Sequence, residues 1–96
     1  MNDASPVAVS TIQYETDRVR VTEWRFEPRA ETGWHRHEFD YVVVPMSTGD
    51  LLIKNAEGEQ YTALSAGTSY GRDAGVEHNV INPNDEEFIF IEIEVK

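Results

Sequence analysis

Cysteine is absent from this chain of 96 residues, so the sequence offers no disulfide framework and no thiolate to bind a metal or act as a nucleophile. A chain without disulfides has no need of an oxidising compartment, and we expect a cytoplasmic location. No apolar run approaches the roughly 18 to 20 residues of a membrane-spanning helix. The first ten residues also lack the basic region and apolar core of a signal peptide.

Positive charge is scarce as well. Eight lysines and arginines stand against 18 acidic residues, which gives a formal net charge of −10 at pH 7. Proteins that bind nucleic acids or anionic membranes use clustered Lys and Arg, and the sequence has no such cluster. We therefore expect neither a nucleic acid nor a membrane as a partner.

A sustained helical period is also missing. Apolar and polar residues alternate with a period of two over short segments that end in turn-forming residues. About eight such segments predict an all-β sandwich or barrel. We assign residues 7–96 to one domain and residues 1–6 to a flexible N-terminal tail. A domain this small would gain stability from pairing with a second copy.

Two predicted strands are irregular. In residues 18–26 the apolar positions change phase between Val21 and Trp24, which predicts a bulge or a strand that is covered on both faces. The last strand, residues 87–96, is apolar on both faces at first, and Glu92 follows two phenylalanines on one face. This pattern indicates cover by another sheet or another subunit.

Three histidines are the candidate metal ligands of this sequence. His35 and His37 have the same strand parity, so both imidazoles project from one face. His78 lies in another predicted strand, and two strands of one barrel can bring neutral imidazoles to one metal ion. An HxH pair is also common among ordinary surface or packing residues, and spacing alone does not show that the three histidines converge.

Two spaced patterns surround these histidines. The first comprises a glycine, HxH, an apolar strand and a glycine, at Gly33, His35, His37, residues 41–44 and Gly49. The second comprises two glycines, a histidine and an asparagine, at Gly67, Gly75, His78 and Asn82. Together they resemble the two motifs of a small single-domain cupin over nearly the whole chain. The resemblance implies a β jelly roll that holds one divalent metal ion (iron, manganese, nickel, zinc or copper in different members), commonly in a homodimer.

The sequence departs from the cupin motifs at two places. Asp73 replaces the proline of the second motif, which alters a turn rather than the site. The first motif has a Glu ligand after three or four further residues, and here those positions hold Tyr41 and Val42. Asp40 is one residue short, and a shift of one residue along a strand turns a side chain to the opposite face. Asp40 is therefore a ligand only if a bulge turns it inward.

The resemblance thus implies a metal centre of His35, His37 and His78, with the other positions open to water or substrate. Three neutral ligands leave the ion its full charge, which favours anionic substrates. Some cupin dioxygenases use three histidines in this way. The family resemblance does not choose among oxygenation, isomerisation and lyase chemistry.

Four further residues are candidates near the site. Tyr41 replaces the expected carboxylate, so its hydroxyl is a candidate acid, base or hydrogen-bond donor, or else a core residue. Arg72 is a candidate to grip a substrate carboxylate with two hydrogen bonds, or else it pairs with a surface acid. Tyr70 and Asn82 are candidate pocket residues by strand parity, although Asn82 would equally serve to cap the turn that follows it.

Three functions remain open, and we favour the first. It is a metal-dependent enzyme of dioxygenase, isomerase or lyase type that acts on a small anionic metabolite, such as a carboxylic acid. The second is a non-catalytic module that holds a metal or small ligand, and the third is a degenerate cupin kept as a dimeric scaffold. Residues 32–45 are also similar to cupins associated with β-alanine-type catabolism, which points to small amino or hydroxy acids.

Overall fold

The computed structural model describes residues 5–96, which form nine β-strands and no helix. Short alternating segments of this kind bury one side of each strand against a second sheet. The strands are β1 (Val9–Glu15), β2 (Val19–Phe26), β3 (His35–Arg36), β4 (Asp40–Pro45), β5 (Gly49–Asn55), β6 (Gly58–Leu64), β7 (Tyr70–Arg72), β8 (Glu77–Ile81) and β9 (Phe88–Val95). The prediction of an all-β fold is confirmed. In this part of the chain there is accordingly no helix long and apolar enough to cross a membrane.

The strands form two antiparallel sheets. One has the order β1-β2-β9-β4-β7 and the other the order β3-β8-β5-β6. After most strands the chain crosses to the opposite sheet, so neighbours within a sheet come from distant parts of the sequence. As a result, β3 pairs with β8, and His35 lies directly across from His78.

The inner face of β9 changes from apolar to polar along its length. Phe88 and Phe90 are buried in the core with Phe26 and Leu51, and they fill one end of the space between the sheets. Glu92 follows them on the same inner face and is also buried. The polar end of this face is the end that adjoins the histidines.

Strand β1 was not predicted from the sequence. All seven of its residues are exposed, because it lies at a sheet edge and neither of its faces is covered. The irregular register lies in β1, between Ile12 and Tyr14, whereas β2 pairs with β9 without interruption. The predicted bulge in residues 18–26 is therefore wrong, and the alternative of cover on both faces fits better, since Thr22 is buried inside and Val21 is half-buried outside.

Residues 1–4 of the predicted tail lie outside the described residues. From Pro6 onward the chain is joined to the barrel, because Pro6 accepts a hydrogen bond from the Glu31 backbone N–H at 3.0 Å. Ala8 in turn donates to the Glu31 carbonyl at 2.9 Å. The boundary between tail and domain at residue 7 stays a prediction.

Candidate metal centre

The three histidines converge on one point inside the barrel. The Nε2 atom of His37 lies 3.0 Å from that of His35 and 3.1 Å from that of His78. The pairing of β3 with β8 brings His35 to His78. His37 follows β3, and its backbone N–H donates to the Val76 carbonyl at 2.9 Å, which holds it beside the same strand.

These separations fit a single bound ion. Two nitrogens that bind one metal at about 2.1 Å and at right angles lie about 3.0 Å apart. All three ligand atoms lie within 4.8 Å of one another. A hydrogen bond between two such nitrogens needs a proton on one of them, whereas a cation would satisfy all three lone pairs at once. The donor set is therefore suited to a divalent transition metal.

His35 is held in the orientation that metal binding requires. Its Nδ1 atom lies 2.9 Å from the Gly33 carbonyl, which can only accept, so we assign the ring proton to Nδ1 and the free lone pair to Nε2. Asn79 fixes this loop, because its Oδ1 accepts from the Gly33 N–H at 2.9 Å and its Nδ2 donates to Glu31 at 2.8 Å. Asn79 thus supports His35 without contacting the cluster of Nε2 atoms.

His37 is packed between an aromatic ring and a carboxyl group. The Tyr41 ring stacks on the imidazole with centroids 3.9 Å apart and an angle of 18° between the planes. On the side away from the other histidines, the Nδ1 atom of His37 lies 3.8 Å from Oε2 of Glu92. Both His37 and Glu92 are buried.

Burial shifts the acidity of these groups. Together with a smaller effect of the neighbouring histidines, it lowers the pKa of His37 and of His78 to about 4 each. Both rings are therefore neutral near pH 7 and available as ligands. Burial raises the pKa of Glu92 to about 7, and the charge of Glu94 contributes to this rise. Since His37 is uncharged at neutral pH, its contact with Glu92 is not an ion pair there.

Trp24 borders the same carboxyl group. Its indole N–H lies near enough to the carboxyl group to lower the pKa of Glu92, against the larger effect of burial. Even so, the buried Nε1 atom completes no hydrogen bond with any residue of the described chain. The site therefore contains a buried donor that is not fully paired.

A cavity of about 230 Å³ opens beside His78. Tyr41, Tyr70 and Arg72 line it, together with the polar residues Asn55, Gln60, Thr62 and Glu77. This volume lies below the range of about 300–1,000 Å³ that is usual for pockets that bind drug-sized ligands, so the cavity suits a small metabolite. A wider groove of about 470 Å³ reaches His35 and His37 from the side of β1.

Arg72 places a positive charge at this cavity. Its guanidinium lies 4.5 Å from the centre of the Tyr70 ring and donates to the Gly71 carbonyl at 2.8 Å. Among residues 5–96 it forms no ion pair, and the predicted alternative of pairing with a surface acid is not observed there. Burial raises the pKa of Tyr41 well above its ordinary value, and the nearby charge of Arg72 lowers that pKa by a smaller amount. The phenol of Tyr41 therefore keeps its proton at neutral pH.

Two of the sequence candidates lie apart from the histidines. Asp40 is exposed, and its carboxylate accepts a hydrogen bond from the Ala74 backbone N–H at 2.8 Å. Asn82 is fully buried, and its Nδ2 donates to the carbonyls of Phe26, Glu27 and Glu86. Asp40 does not join the ligand cluster, and Asn82 has the turn-stabilising contacts that were its structural alternative.

The sequence interpretation missed Glu92 and Asn79 as residues of the site. Glu92 had a recognisable signal, because it shares strand parity with the buried Phe88 and Phe90 and so had to face the interior. Asn79 had no comparable signal. Its contact with the Gly33 loop depends on the pairing of β3 with β8, which local sequence does not specify.

Comparison with known proteins places these observations in a family. The profile of the cupin domain matches residues 22–94. The beta-alanine degradation protein BauB of Pseudomonas aeruginosa PAO1 is 55% identical over 91 residues, which cover 95% of this chain and 96% of that protein.

Solved structures give the same result. A cupin domain from Bordetella pertussis Tohama I is 58% identical, with a TM-score of 0.97 over 99% of both chains. A cupin-2 domain containing protein from Shewanella frigidimarina NCIMB 400 is 28% identical, with a TM-score of 0.66 over 92% of this chain and 80% of the other. The prediction of a cupin-type jelly roll is confirmed.

Proposed function

The chain belongs to the cupin domain family, and on this premise we propose that it is a metal-dependent enzyme that acts on a small carboxylic acid. One observation carries the proposal. The guanidinium of Arg72, which forms no ion pair within residues 5–96, lines a small cavity that also reaches the histidine cluster at His78. The cation and the candidate metal site therefore face the same cavity.

His35, His37 and His78 would hold one divalent ion, which we propose to be iron, manganese, nickel, zinc or copper. When bound, such an ion would act as a Lewis acid on an oxygen atom of the substrate. Because all three ligands are neutral, the ion keeps its full charge, which favours an anionic substrate.

The residues of the cavity have complementary roles in this proposal. Arg72 would bind the substrate carboxylate through two parallel hydrogen bonds, and Tyr70 beneath it would limit its movement. Tyr41, whose phenol keeps its proton, would donate a hydrogen bond or a proton to the substrate next to the histidines. The cavity of about 230 Å³ would exclude larger acids.

The name of a relative narrows the substrate class. BauB is named for the degradation of β-alanine, a short amino acid with one carboxylate. At 55% identity over nearly the whole chain, this supports short-chain amino, hydroxy or oxo acids as substrates. Since cupin dioxygenases with three histidines exist, oxygen uptake is the first activity to measure.

We also propose that the protein works as a homodimer. Strand β1 is exposed on both faces, and Val9, Ile12 and Tyr14 are each more than half exposed. A second copy that packs on β1 would remove these apolar side chains from water and cover the wide groove. The lack of cysteine suits a reducing compartment such as the cytoplasm.

A second candidate function is a non-catalytic module that holds a metal or a small ligand. The observation that favours it is the missing carboxylate ligand, since Asp40 does not reach the histidine cluster and Tyr41 stands in the motif position. Such a protein would bind the same acids without converting them.

One experiment distinguishes the enzyme from the non-catalytic binding module. Protein prepared without an affinity tag and loaded with each of the five metals is offered a panel of short-chain amino, hydroxy and oxo acids that includes β-alanine. Thermal shift measures binding, while oxygen uptake and product analysis measure turnover. At least one acid should bind and be converted with one metal, and Arg72→Gln should weaken its binding about tenfold or more.

Arg18→Gln is the matched control, because Arg18 is an exposed arginine outside the cavity. The Arg18→Gln variant should bind the acid with unchanged affinity. Binding without conversion for every metal would favour the binding module. A panel in which no acid binds would contradict the enzyme and any module that binds these acids.

A further inference from the structure

His37 contributes to the candidate centre through Nε2, which faces the Nε2 atoms of His35 and His78 at 3.0 and 3.1 Å. An imidazole offers a lone pair at Nε2 only when its proton is on Nδ1. A ligand histidine therefore usually donates its other N–H to a carboxylate, a carbonyl or a water, which fixes both the tautomer and the ring orientation.

His35 and His37 meet this requirement differently. His35 has the Gly33 carbonyl at 2.9 Å from Nδ1. The atom of Glu92 nearest to His37 Nδ1 is Oε2, at 3.8 Å. The stacked Tyr41 ring holds the plane of the imidazole, but a ring that lies parallel to His37 offers no acceptor in the plane of its N–H.

We propose that Glu92 is a positioning residue for His37: its carboxyl group accepts the Nδ1 hydrogen and holds Nε2 toward the other two histidines. The inference rests on the metal centre proposed above. The separation of 3.8 Å exceeds a normal hydrogen bond by about 1 Å, and hydrogen bonds in active sites often tighten to full length only when the site is loaded.

The surroundings of Glu92 suit this role. It lies on the inner face of β9 between Thr22 of β2 and Val43 of β4, and only 8% of it is exposed. The Trp24 indole lines the same space and has its buried N–H incompletely paired. This donor can hold one oxygen of the carboxyl group while the other oxygen faces His37.

A purely structural role would not select a carboxyl group here. Burial of an ionisable group is costly unless it is paired, and the preceding inward residues of β9 are the apolar Phe88 and Phe90. A leucine at position 92 would extend the apolar core. Nor is Glu92 placed as a ligand, because it approaches Nδ1 of His37 and does not belong to the group of converging ligand atoms.

The test compares Glu92→Leu and Glu92→Gln with the wild-type protein, all without tags and stripped of metal. Binding of Co²⁺ is followed by its visible absorption in competition with a chelator, and thermal unfolding of the metal-free proteins is measured in parallel. Glu94→Gln is the matched control, since Glu94 lies two residues further on the same face of β9 and pairs with Arg20 instead.

Glu92→Leu should weaken Co²⁺ binding by about 10- to 100-fold while leaving the melting temperature of the metal-free protein unchanged or raised. Glu92→Gln keeps an oxygen acceptor for Nδ1–H and should bind within about threefold of wild type, as should Glu94→Gln. Glu92→Met replaces the leucine variant if that variant does not fold.

Three results would overturn the inference. If Glu92→Leu binds Co²⁺ like the wild type, His37 needs no support from Glu92. If Glu92→Gln is as weak as Glu92→Leu, an oxygen acceptor at position 92 is not what holds His37, and the assigned role is wrong. If the wild-type protein binds no Co²⁺, the proposed metal centre fails together with the inference, which the wild-type titration alone reveals.

Discussion

Two groups of buried polar side chains in this barrel are built in opposite ways. Around Asn82, every polar atom is paired: Nδ2 donates to three backbone carbonyls at 2.8–3.2 Å, and Oδ1 accepts from the N–H and the side chain of Asn84. Among the three histidines, Nε2 of His37 lies about 3 Å from Nε2 of His35 and of His78, and residues 5–96 do not supply a donor for each of the three lone pairs.

The difference distinguishes a structural cluster from a candidate metal centre. Unpaired buried polar groups are costly, so a cluster that serves only stability is fully hydrogen-bonded, as at Asn82. On the proposed function, the convergent lone pairs of the histidines would instead be completed by a bound metal ion. Loss of Asn82 should therefore affect folding, whereas loss of a histidine should affect metal binding.

The largest expected effect is on metal content. His78→Ala removes one of three ligands, and the content of transition metal should fall from about one ion per chain to less than about a tenth of that. The measurement is elemental analysis of protein expressed without a tag. Denaturant unfolding of the metal-free variant should show a change of less than about 1 kcal/mol. Retention of a full metal complement would contradict the three-histidine centre.

Asn82→Ala should show the reverse pattern. The carbonyls of Phe26, Glu27 and Glu86 lose their common donor, so the free energy of unfolding should fall by at least about 2 kcal/mol, while the folded protein keeps its metal. Asn55→Ala is the control, since Asn55 is exposed and makes one turn hydrogen bond with Glu57, and it should cost less than about 1 kcal/mol. Equal losses in the two variants would show that the Asn82 group is not a structural cluster.

Acid should destabilise the metal-free protein through the histidines. His37 and His78 have pKa values of about 4 in the folded state and about 6.5 when unfolded, so the unfolded state binds more protons between these values. Stability is then lost as the pH falls from about 6.5 toward about 4. Glu92 has the opposite effect on the pH dependence of stability, because its pKa rises to about 7 on folding. Its contribution to stability is lost as the pH rises from about 4.5 to about 7.

The two histidines outweigh the single carboxyl group. Urea unfolding of the metal-free protein should therefore show lower stability at pH 5 than at pH 7. In the double variant His37→Ala, His78→Ala, the contribution of the two histidines is removed while that of Glu92 remains, and the slope should flatten or reverse. The same slope in the wild type and the double variant would contradict the assignment of acid sensitivity to this cluster.

The smallest effect is expected for Asp40→Ala. Asp40 is exposed and accepts one hydrogen bond from the Ala74 N–H, so the loss of stability should be about 1 kcal/mol or less. Metal content should stay at the wild-type level, because the carboxylate faces away from the histidines. A variant that loses its metal would show that Asp40 turns inward and completes the ligand set.

Strand parity predicted a good part of the site. It predicted the imidazoles of His35 and His37 on one face and Asp40 on the other; in the structure the two Nε2 atoms lie 3.0 Å apart, and the Asp40 carboxylate accepts from the Ala74 N–H. The spacing of the second motif brought in His78. The first two features follow from local geometry, since the side chains of a strand alternate between its faces wherever that strand packs, whereas His78 was included because of the resemblance to the cupin motif.

Contacts across the sheets were not predictable in the same way. The position of Glu92 behind His37 depends on β9 pairing with both β2 and β4, and the support of His35 by Asn79 depends on β3 pairing with β8. Strand β1 was missed because its exposed residues lack a buried face and so leave no alternation to detect. The sequence therefore predicts which face a side chain occupies more reliably than which distant residue it meets.

The most direct test of the central claim is the metal content of the wild-type protein, expressed without an affinity tag and analysed for transition metals. If His35, His37 and His78 form a metal centre, about one ion per chain should be present, or should be restored when metal is added to the stripped protein. A content below about a tenth of an ion per chain that does not recover on addition of iron, manganese, nickel, zinc or copper would contradict it.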